Sequence, residues 1–285
     1  MPELPEVETI KNDLSAEILH KKILFIELRL KKIVKNDPSF FKKVLIGAKF
    51  RALERCGKLM IFSLGNGQFL LIHLKMTGQL IFRNKKQVIA GGHSDTVFNF
   101  DLPNKYSHLV FVFEDKSKLF FNDLRQFGYA RIVDKNQLEQ IKQRFGMDPL
   151  DSRFTLKYFR NLLKKRTGNL KAFLLNQSII AGLGNIYADE ILFEAKILPM
   201  RKVTNLTIGE ISLLHKSIRK IIMKAIKYRG TTFNTYVDSA GRRGDFLKFL
   251  RVYKKEKKLC QRCAHVIKKI KVAGRGTRFC EYCQK

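Results

Sequence analysis

Four of the five cysteines form two Cys-x2-Cys pairs near the C-terminus, Cys260 with Cys263 and Cys280 with Cys283, and 16 residues separate the pairs. Each pair can place two thiolates on one tight turn, and two such turns complete a closed tetrahedral zinc site. Residues 246–285 contain few large apolar side chains, so this segment needs a metal to fold. The spacing therefore predicts one structural Zn²⁺, and a pair of disulfides or unliganded thiols is the less favoured alternative in a cytosolic protein.

The charge of the chain indicates a polyanionic partner. Its 285 residues include 56 Lys and Arg against 25 Asp and Glu, a formal net charge of +31. Residues 151–285 hold 31 basic and nine acidic side chains, a net +22, and residues 1–150 contribute only +9. Clustered basic groups gain free energy by releasing the counterions condensed on phosphates. On charge alone, DNA, RNA and an anionic membrane surface all remain open.

The location of the protein is predicted from two features. No stretch approaches the roughly 18 consecutive apolar residues of a membrane-spanning helix, and the first residues are acidic where a signal peptide is basic. We therefore expect a cytoplasmic protein with no membrane association.

The spacing of apolar residues changes along the chain. A helical period from Leu4 to Ile18 gives way, over residues 22–133, to short runs rich in β-branched and aromatic residues, separated by turn signals and without intervening helices. Repeated hairpin signals of this kind favour an antiparallel β-sandwich. Beyond residue 134 the period is helical again, with helices predicted over 136–145, 155–164, 169–175, 185–195 and 207–228.

These patterns predict an α+β protein with four parts. They are a β-sandwich flanked by helices (1–133), a linker helix and hinge (134–150), a helical domain with a polar, mobile loop (151–245) and a zinc finger (246–285). Within the finger, residues 268–278 are typical of a β-hairpin with Arg275 at its tip. A glycine-flanked arginine there can enter a phosphate groove, or it can be a solvated basic turn.

The second residue, Pro2, is a candidate nucleophile. Removal of Met1 would give Pro2 a free secondary amine, and an α-amine with a reference pKa of roughly 7.7 to 8.0 is partly unprotonated near neutral pH. Such an amine can attack an acetal carbon to form an iminium, while Glu3 and Glu6 are close enough in sequence to transfer protons. Taken alone, the same pattern is also typical of an ordinary helix start.

Several sequence blocks resemble those of bacterial formamidopyrimidine-DNA glycosylases and follow the order found in that family. They are MPELPEVET at residues 1–9, GK at 57–58, HLKMTG at 73–78, DLRQFG at 123–128, GLGNIYADE at 182–190, and the four-cysteine finger with GRGT at 274–277. The blocks extend from residue 2 to residue 283, so the resemblance covers essentially the whole chain. It implies that the first domain is catalytic and that the helical domain contains a helix-two-turns-helix element.

The resemblance also implies a role for each matched residue. The catalytic set is Pro2 as nucleophile, Glu3 as acid, and Lys58 and Arg275 on the phosphates around the sugar, with Glu6 in support; the DNA-binding set is His73, Met76, Arg125, Phe127 and Asn185. Met76, Arg125 and Phe127 would fill the space left by an extruded base, because a base inside a duplex is out of reach. Asn185 is expected as the N-cap of a helix that presents amides to a phosphate. The loop 231–244 is expected to close over the damaged base.

Alternative structural roles are open for several of these residues. Without the resemblance, Met76 and Phe127 fit better as core residues. Similarly, His73 fits a buried strand histidine, and Glu6 fits a carboxylate that stabilises the helix dipole. Asn176 stands where the family pattern has Asp, so packing near it is expected to differ.

The resemblance implies a bifunctional DNA glycosylase and apurinic-site lyase of base excision repair that excises 8-oxoguanine and formamidopyrimidines. The enzyme is expected to act as a monomer on damaged double-stranded DNA, with one structural Zn²⁺. We expect it in the bacterial cytoplasm, associated with the nucleoid through its binding to DNA. Two alternatives are an oxidised-pyrimidine glycosylase and a DNA-binding zinc protein without catalysis. The adjacent Pro2 and Glu3 argue against a DNA-binding zinc protein without catalysis, because DNA binding alone does not require a free amine next to a carboxylate.

Overall fold

The computed structural model describes residues 1–92, 101–231 and 245–285. The chain forms two compact units, one comprising Met1–Gln143 and Tyr228–Leu247, the other Arg144–Lys227 and Lys248–Lys285. Each unit is therefore built from two separate stretches of sequence. The fourfold division expected from the sequence stays a prediction.

The N-terminal unit contains two antiparallel sheets. One has five strands in the order β1-β7-β8-β5-β6 and the other has four in the order β2-β3-β4-β9. The strands are β1 Ile23–Leu28, β2 Ala52–Cys56, β3 Leu59–Ser63, β4 Gln68–His73, β5 Gly78–Arg83, β6 Val88–Gly92, β7 Ser107–Phe113, β8 Lys118–Asp123 and β9 Tyr129–Asp134. Buried side chains from both sheets share one hydrophobic core, so the expected antiparallel sandwich is confirmed.

Helix α1 (Leu4–Ile18) covers this core with its apolar face. The residues Val7, Ile10, Leu14 and Ile18 follow the helical spacing and are all buried. Gly91 on β6 is required for the close approach, since a Cβ there would lie 2.3 Å from Ile10 Cγ1. The N-terminus of the chain is therefore held firmly against the sandwich.

A second helix, α2 (Pro38–Leu45), interrupts the strands. The expectation that no helix lies between residues 22 and 133 was wrong. Asp37 caps α2 by accepting hydrogen bonds from the N–H groups of Ser39 and Phe40, both at 3.0 Å, and Pro38 occupies the first turn. This Asp-Pro pair is a recognised helix start, and the strand-like residues around it obscured the signal.

The remaining helices are α3 Lys135–Lys142 in the N-terminal unit, and α4 Leu156–Lys164, α5 Leu170–Leu175, α6 Asn185–Glu194 and α7 Ile208–Lys227 in the C-terminal unit. The helical predictions were confirmed to within three residues at each end. One detail differs, because Gly184 is the N-cap of α6 and Asn185 is its first helical residue. The C-terminal unit also contains the hairpin β10 (Lys268–Val272) and β11 (Arg275–Phe279).

Among the described residues, no helix combines the length and the apolar character needed to span a bilayer.

Candidate active site and zinc centre

Three acidic or nucleophilic candidates lie at the N-terminus of α1. Pro2 is buried, and Glu3 and Glu6 are only 3% and 5% exposed. The Glu3 N–H donates to Glu6 Oε2 at 2.9 Å, which fixes the backbone directly after Pro2. With Met1 attached, the Pro2 nitrogen is an amide, so its nucleophilic form requires removal of Met1.

The second oxygen of Glu6 binds a distant segment of the same unit. Glu6 Oε1 accepts from the Thr231 N–H at 2.7 Å and from the Thr231 hydroxyl at 3.0 Å. Gly230 precedes Thr231 at φ +77°, and a Cβ on it would lie 2.6 Å from Glu6 Oε1. Glu6 therefore does more than stabilise a helix dipole. Apart from Thr231, the predicted lesion-capping loop lies outside the described residues.

Lys58 lies in the turn between β2 and β3, beside Gly57, and is buried. Arg55 supports this turn, because its guanidinium donates to Glu8 Oε2 at 2.7 Å and to the Gly57 carbonyl at 2.9 Å. Burial raises the pKa of Glu8, but hydrogen bonds from Lys11 and Arg55 outweigh it and hold this pKa below its ordinary value. A partly buried ion pair thus connects α1 to the backbone that carries Lys58.

His73 ends β4, and its pairing partner on β3, Leu59, directly follows Lys58. Its Nδ1 accepts a hydrogen bond of 2.9 Å from the Lys75 N–H. Burial, together with the charges of Lys75 and Lys58, lowers the pKa of His73 to about 3. The ring is therefore neutral, and since Nδ1 is an acceptor its hydrogen lies on Nε2.

Two loops that cross from one sheet to the other carry three of the predicted DNA-binding residues. Residues 74–77 join β4 to β5, and residues 124–128 join β8 to β9. The strand pairs His73↔Tyr129 and Gly78↔Asp123 border both loops. These crossover loops therefore lie side by side at the end of the sandwich that also carries the Lys58 turn.

The tips of the crossover loops are exposed. Met76 is 38% exposed and Phe127 is 54% exposed, while Arg125 places its guanidinium carbon 4.7 Å from the centre of the Phe127 ring. The interpretation of Met76 and Phe127 as core residues is therefore wrong. A flexible thioether, an aromatic ring and a guanidinium at adjacent exposed sites are chemically suited to stack on bases and to donate to them.

In the C-terminal unit, Asn185 and Arg275 lie close to each other. Asn185 Nδ2 donates to the Gly276 carbonyl at 3.1 Å, and Arg275, which is exposed, begins strand β11. On the same hairpin, Thr277 contacts a buried ion pair. Lys171 Nζ lies 2.6 Å from Asp189 Oδ1 and 2.7 Å from the Thr277 hydroxyl, and the ion pair is completely buried. This network fixes the finger hairpin on helices α5 and α6.

The four cysteines predicted to bind metal converge. Their Sγ atoms all lie within 4.8 Å of one another, with Cys260 and Cys283 3.7 Å apart and Cys263 and Cys280 3.4 Å apart. A tetrahedral site with Zn–S bonds of about 2.3 Å implies sulfur separations of about 3.8 Å. The four thiolates fit one structural Zn²⁺ and leave no open coordination position.

Several residues that hold these sites were not predicted from the sequence. Arg55, Thr77, Asp123 and Lys171 are buried or partly buried polar residues, and each has at least one partner 18 or more residues away. Only Thr77 and Asp123 lie within the sequence blocks that resemble the family, HLKMTG at 73–78 and DLRQFG at 123–128. For Lys171 the available signal was a charged residue inside the apolar run LKAFLL at 170–175, since buried charges need partners.

Three family models match the chain. The formamidopyrimidine-DNA glycosylase N-terminal domain matches residues 1–130, the formamidopyrimidine-DNA glycosylase H2TH domain matches residues 145–237, and the zinc finger found in FPG and IleRS matches residues 257–285. Together these models cover most of both units.

Relatives match over their full length. The chain is 42% identical to the formamidopyrimidine-DNA glycosylase of Carboxydothermus hydrogenoformans over 286 residues, covering 100% of both chains. It is 38% identical to that of Pelotomaculum thermopropionicum, covering 100% of this chain and 99% of the relative.

Solved structures agree with this result. Lactococcus lactis Fpg in complex with DNA containing an abasic site matches with a TM-score of 0.86 at 37% identity, covering 99% of each chain. The same protein with DNA containing Fapy-dG matches with a TM-score of 0.85 at 36% identity, covering 99% of this chain and 100% of that one. With its sandwich, helical unit and zinc finger matched in sequence and in structure, the chain belongs to the formamidopyrimidine-DNA glycosylase family of DNA-repair enzymes.

Proposed function

We propose that the protein is a bifunctional DNA glycosylase and apurinic-site lyase that excises 8-oxoguanine and formamidopyrimidines through an N-terminal proline Schiff base. The observation that carries this proposal is the buried Pro2–Glu3 pair at the start of α1, with Glu6 bound to the Glu3 N–H. A carboxyl group held next to a potential secondary amine meets the needs of amine catalysis on an acetal carbon.

The reaction begins when the Pro2 amine, freed of Met1, attacks C1′ of the extruded nucleotide. The new N–C1′ bond replaces the bond to the base, which leaves with a proton. Glu3 donates a proton to the sugar ring oxygen, so the C1′–O4′ bond opens and the amine lone pair forms an iminium. Because an α-amine has a reference pKa of roughly 7.7 to 8.0, a useful fraction is unprotonated at neutral pH.

The iminium then makes the lyase step possible. It withdraws electrons from C2′, so a base can remove a C2′ proton while the C3′–O bond breaks and releases the 3′ phosphate. In a second elimination, a base removes the C4′ proton, which the conjugated iminium acidifies, while the C5′–O bond breaks and releases the 5′ phosphate. In this proposal Lys58 and Arg275 neutralise the two phosphates as they depart.

Before chemistry, the damaged nucleotide must leave the helix. We assign this step to the crossover loops, whose exposed Met76 and Phe127 would take the place of the base while Arg125 donates hydrogen bonds to the orphaned partner. The neutral His73, with its proton on Nε2, and Asn185 would donate to phosphates. The net +22 of residues 151–285 supports affinity for duplex DNA of any sequence.

The zinc finger has a structural role in this proposal. Bound Zn²⁺ supplies rigidity and no chemistry, because four thiolates fill its coordination sphere. Cys280 directly follows β11 and Cys283 lies three residues further on, and Lys171 binds Thr277 on the same strand. The proposed enzyme acts as a monomer on DNA in the cytoplasm.

Borohydride trapping tests the mechanism. Protein whose Met1 is shown by mass spectrometry to be absent should form a covalent adduct with duplex DNA containing 8-oxoguanine opposite cytosine. Protein with a retained N-terminal extension should bind the duplex but form no adduct, and Glu3→Gln should trap pre-formed abasic sites far better than 8-oxoguanine. Binding without any adduct would make the chain a DNA-binding zinc protein without catalysis. Preference for oxidised pyrimidines in the same assay would favour the other glycosylase class.

A further inference from the structure

The two crossover loops share one buried carboxylate. Asp123, which is fully buried at the end of β8, accepts the Thr77 hydroxyl on Oδ1 and the Gly128 N–H at 2.7 Å on Oδ2. Thr77 belongs to the first crossover loop, and Gly128 ends the second. One side chain is thereby bonded to both loops.

The Thr77 hydroxyl extends this connection. It accepts the Arg125 N–H at 2.9 Å while donating to Asp123, and the same N–H lies 3.2 Å from Asp123 Oδ1. The backbone amide of Arg125 in one loop is therefore held by a side chain of the other loop. Met76 directly precedes Thr77, and Phe127 directly precedes Gly128. The exposed side chain of each loop is therefore next in sequence to a residue of this network.

Tight packing leaves the loops few alternative conformations. A Cβ on Gly128 would lie 2.7 Å from the Phe121 ring and 3.0 Å from Asp123 Oδ2, and a Cβ on Gly78 would lie 2.4 Å from the Leu74 carbonyl oxygen. Lys75 and Gln126 both have positive φ angles, 49° and 56°. Each loop is a sharply bent segment that needs its internal hydrogen bonds to persist.

We propose that Asp123 and Thr77 are positioning residues that hold Met76, Arg125 and Phe127 as one preformed wedge. This inference rests on the proposed function of the crossover loops in base extrusion. It assigns the fixed conformation of both loops to the hydrogen bonds that join Thr77, Asp123, Arg125 and Gly128. Preformed loops insert without a further ordering cost, so loss of the network weakens insertion even though the three wedge side chains remain.

The test measures insertion without chemistry. The probe is a duplex containing a tetrahydrofuran abasic-site analogue opposite 2-aminopurine, whose fluorescence rises when the base loses its stacking. Thr77→Val should lower the affinity for this duplex about tenfold, equivalent to about 1.4 kcal/mol, while Thr77→Ser keeps the wild-type affinity. Asp123→Asn should lower it at least as much, because an amide cannot accept from both loops.

A double-mutant cycle separates positioning from general destabilisation. In a Phe127→Ala background, Thr77→Val should change affinity by less than about twofold, since the wedge that it positions is already incomplete. Ser117→Ala is the matched control, because Ser117 is a buried hydroxyl bound to Asp115 at the opposite end of β8. Its melting temperature should fall like that of Thr77→Val with no change in affinity.

The outcomes are distinguishable. Equal effects of Thr77→Val in the wild-type and Phe127→Ala backgrounds, or equal loss of affinity in Ser117→Ala, would overturn the positioning role. A normal wild-type fluorescence rise without borohydride trapping would refute the Schiff-base chemistry and leave this inference standing. A wild-type protein that binds the duplex without any fluorescence rise would refute the wedge and the inference with it.

Discussion

The carboxylate of Glu6 holds Thr231 by two hydrogen bonds, one from the backbone N–H at 2.7 Å and one from the hydroxyl at 3.0 Å, across 225 residues of sequence. Its other oxygen binds the N–H of Glu3. Arg229 strengthens the same connection through an ion pair of 2.5 Å with Asp13, two helical turns further along α1. The segment that leads into the predicted lesion-capping loop is thus attached to the helix that begins at the proposed nucleophile.

Glu6→Gln should destabilise the N-terminal unit by about 1–3 kcal/mol, because an amide group must face at least one backbone or hydroxyl donor. Urea unfolding measures this change, and Thr231→Ser serves as a control that keeps both hydrogen bonds. Gly230→Ala should also destabilise the protein, since its Cβ would meet Glu6 at a positive φ. Unchanged stability in Glu6→Gln would show that the Thr231 connection contributes little.

Arg55→Lys should weaken binding to duplex DNA although it conserves charge. A lysine cannot bind Glu8 and the Gly57 carbonyl together, so the turn that carries Lys58 loses its support. Lys11→Ala removes the other, more exposed partner of Glu8 and should have almost no effect. The affinities of Arg55→Lys, Lys11→Ala and the wild type for duplex DNA are compared by fluorescence anisotropy at fixed ionic strength. Equal affinities of Arg55→Lys and wild type would contradict a supporting role.

The low pKa of His73, about 3 against an ordinary value of 6.5, makes stability depend on pH. Between these values the unfolded chain binds a proton that the folded protein does not, so stability is complete above about pH 6.5 and declines as the pH falls towards 3. Unfolding free energies at pH 4.5 and 7.5 should therefore differ more in wild type than in His73→Gln. The two proteins would show the same difference if His73 were protonated when folded.

Lys171→Met should be among the most destabilising single changes in the C-terminal unit. It leaves Asp189 buried without its cation, which costs about 3–5 kcal/mol. Lys171→Met with Asp189→Leu should recover part of that loss, since no uncompensated charge remains. Lys220→Met breaks a partly exposed ion pair with Glu194 and should cost less than about 1 kcal/mol. A loss in Lys171→Met no larger than that of Lys220→Met would contradict this prediction.

Cys283→Ser should lower the zinc content from one ion per chain, measured by atomic emission, and reduce DNA affinity. The finger hairpin then loses its main support, because few large apolar side chains are present to replace the metal. Cys56→Ser is the matched control and should keep the full zinc content, since Cys56 lies on β2 in the N-terminal unit. Zinc retained at one ion per chain in Cys283→Ser would contradict the four-cysteine site.

The sequence predicted regular structure and local ligand sets well. Helix α1, the sandwich strands and the zinc cysteines each show a short-range period or spacing, and Met76 and Phe127 were identified through their sequence blocks. The contacts that organise the site were not predictable in this way. The pairs Glu6–Thr231 and Arg55–Glu8 join residues far apart in sequence. The spacing of residues along the chain does not indicate which distant polar side chains will contact each other.

The discontinuity of the N-terminal unit affects how it can form during synthesis. Glu6 leaves the ribosome among the first residues, and its partner Thr231 follows only after α3 and the helices α4 to α7 have been made. Until then Glu6 Oε1 must stay in contact with water or be buried without its hydrogen-bond donors. A fragment ending at residue 143 would keep both sheets and still lack the two donors, so the sandwich reaches its final stability only late in translation.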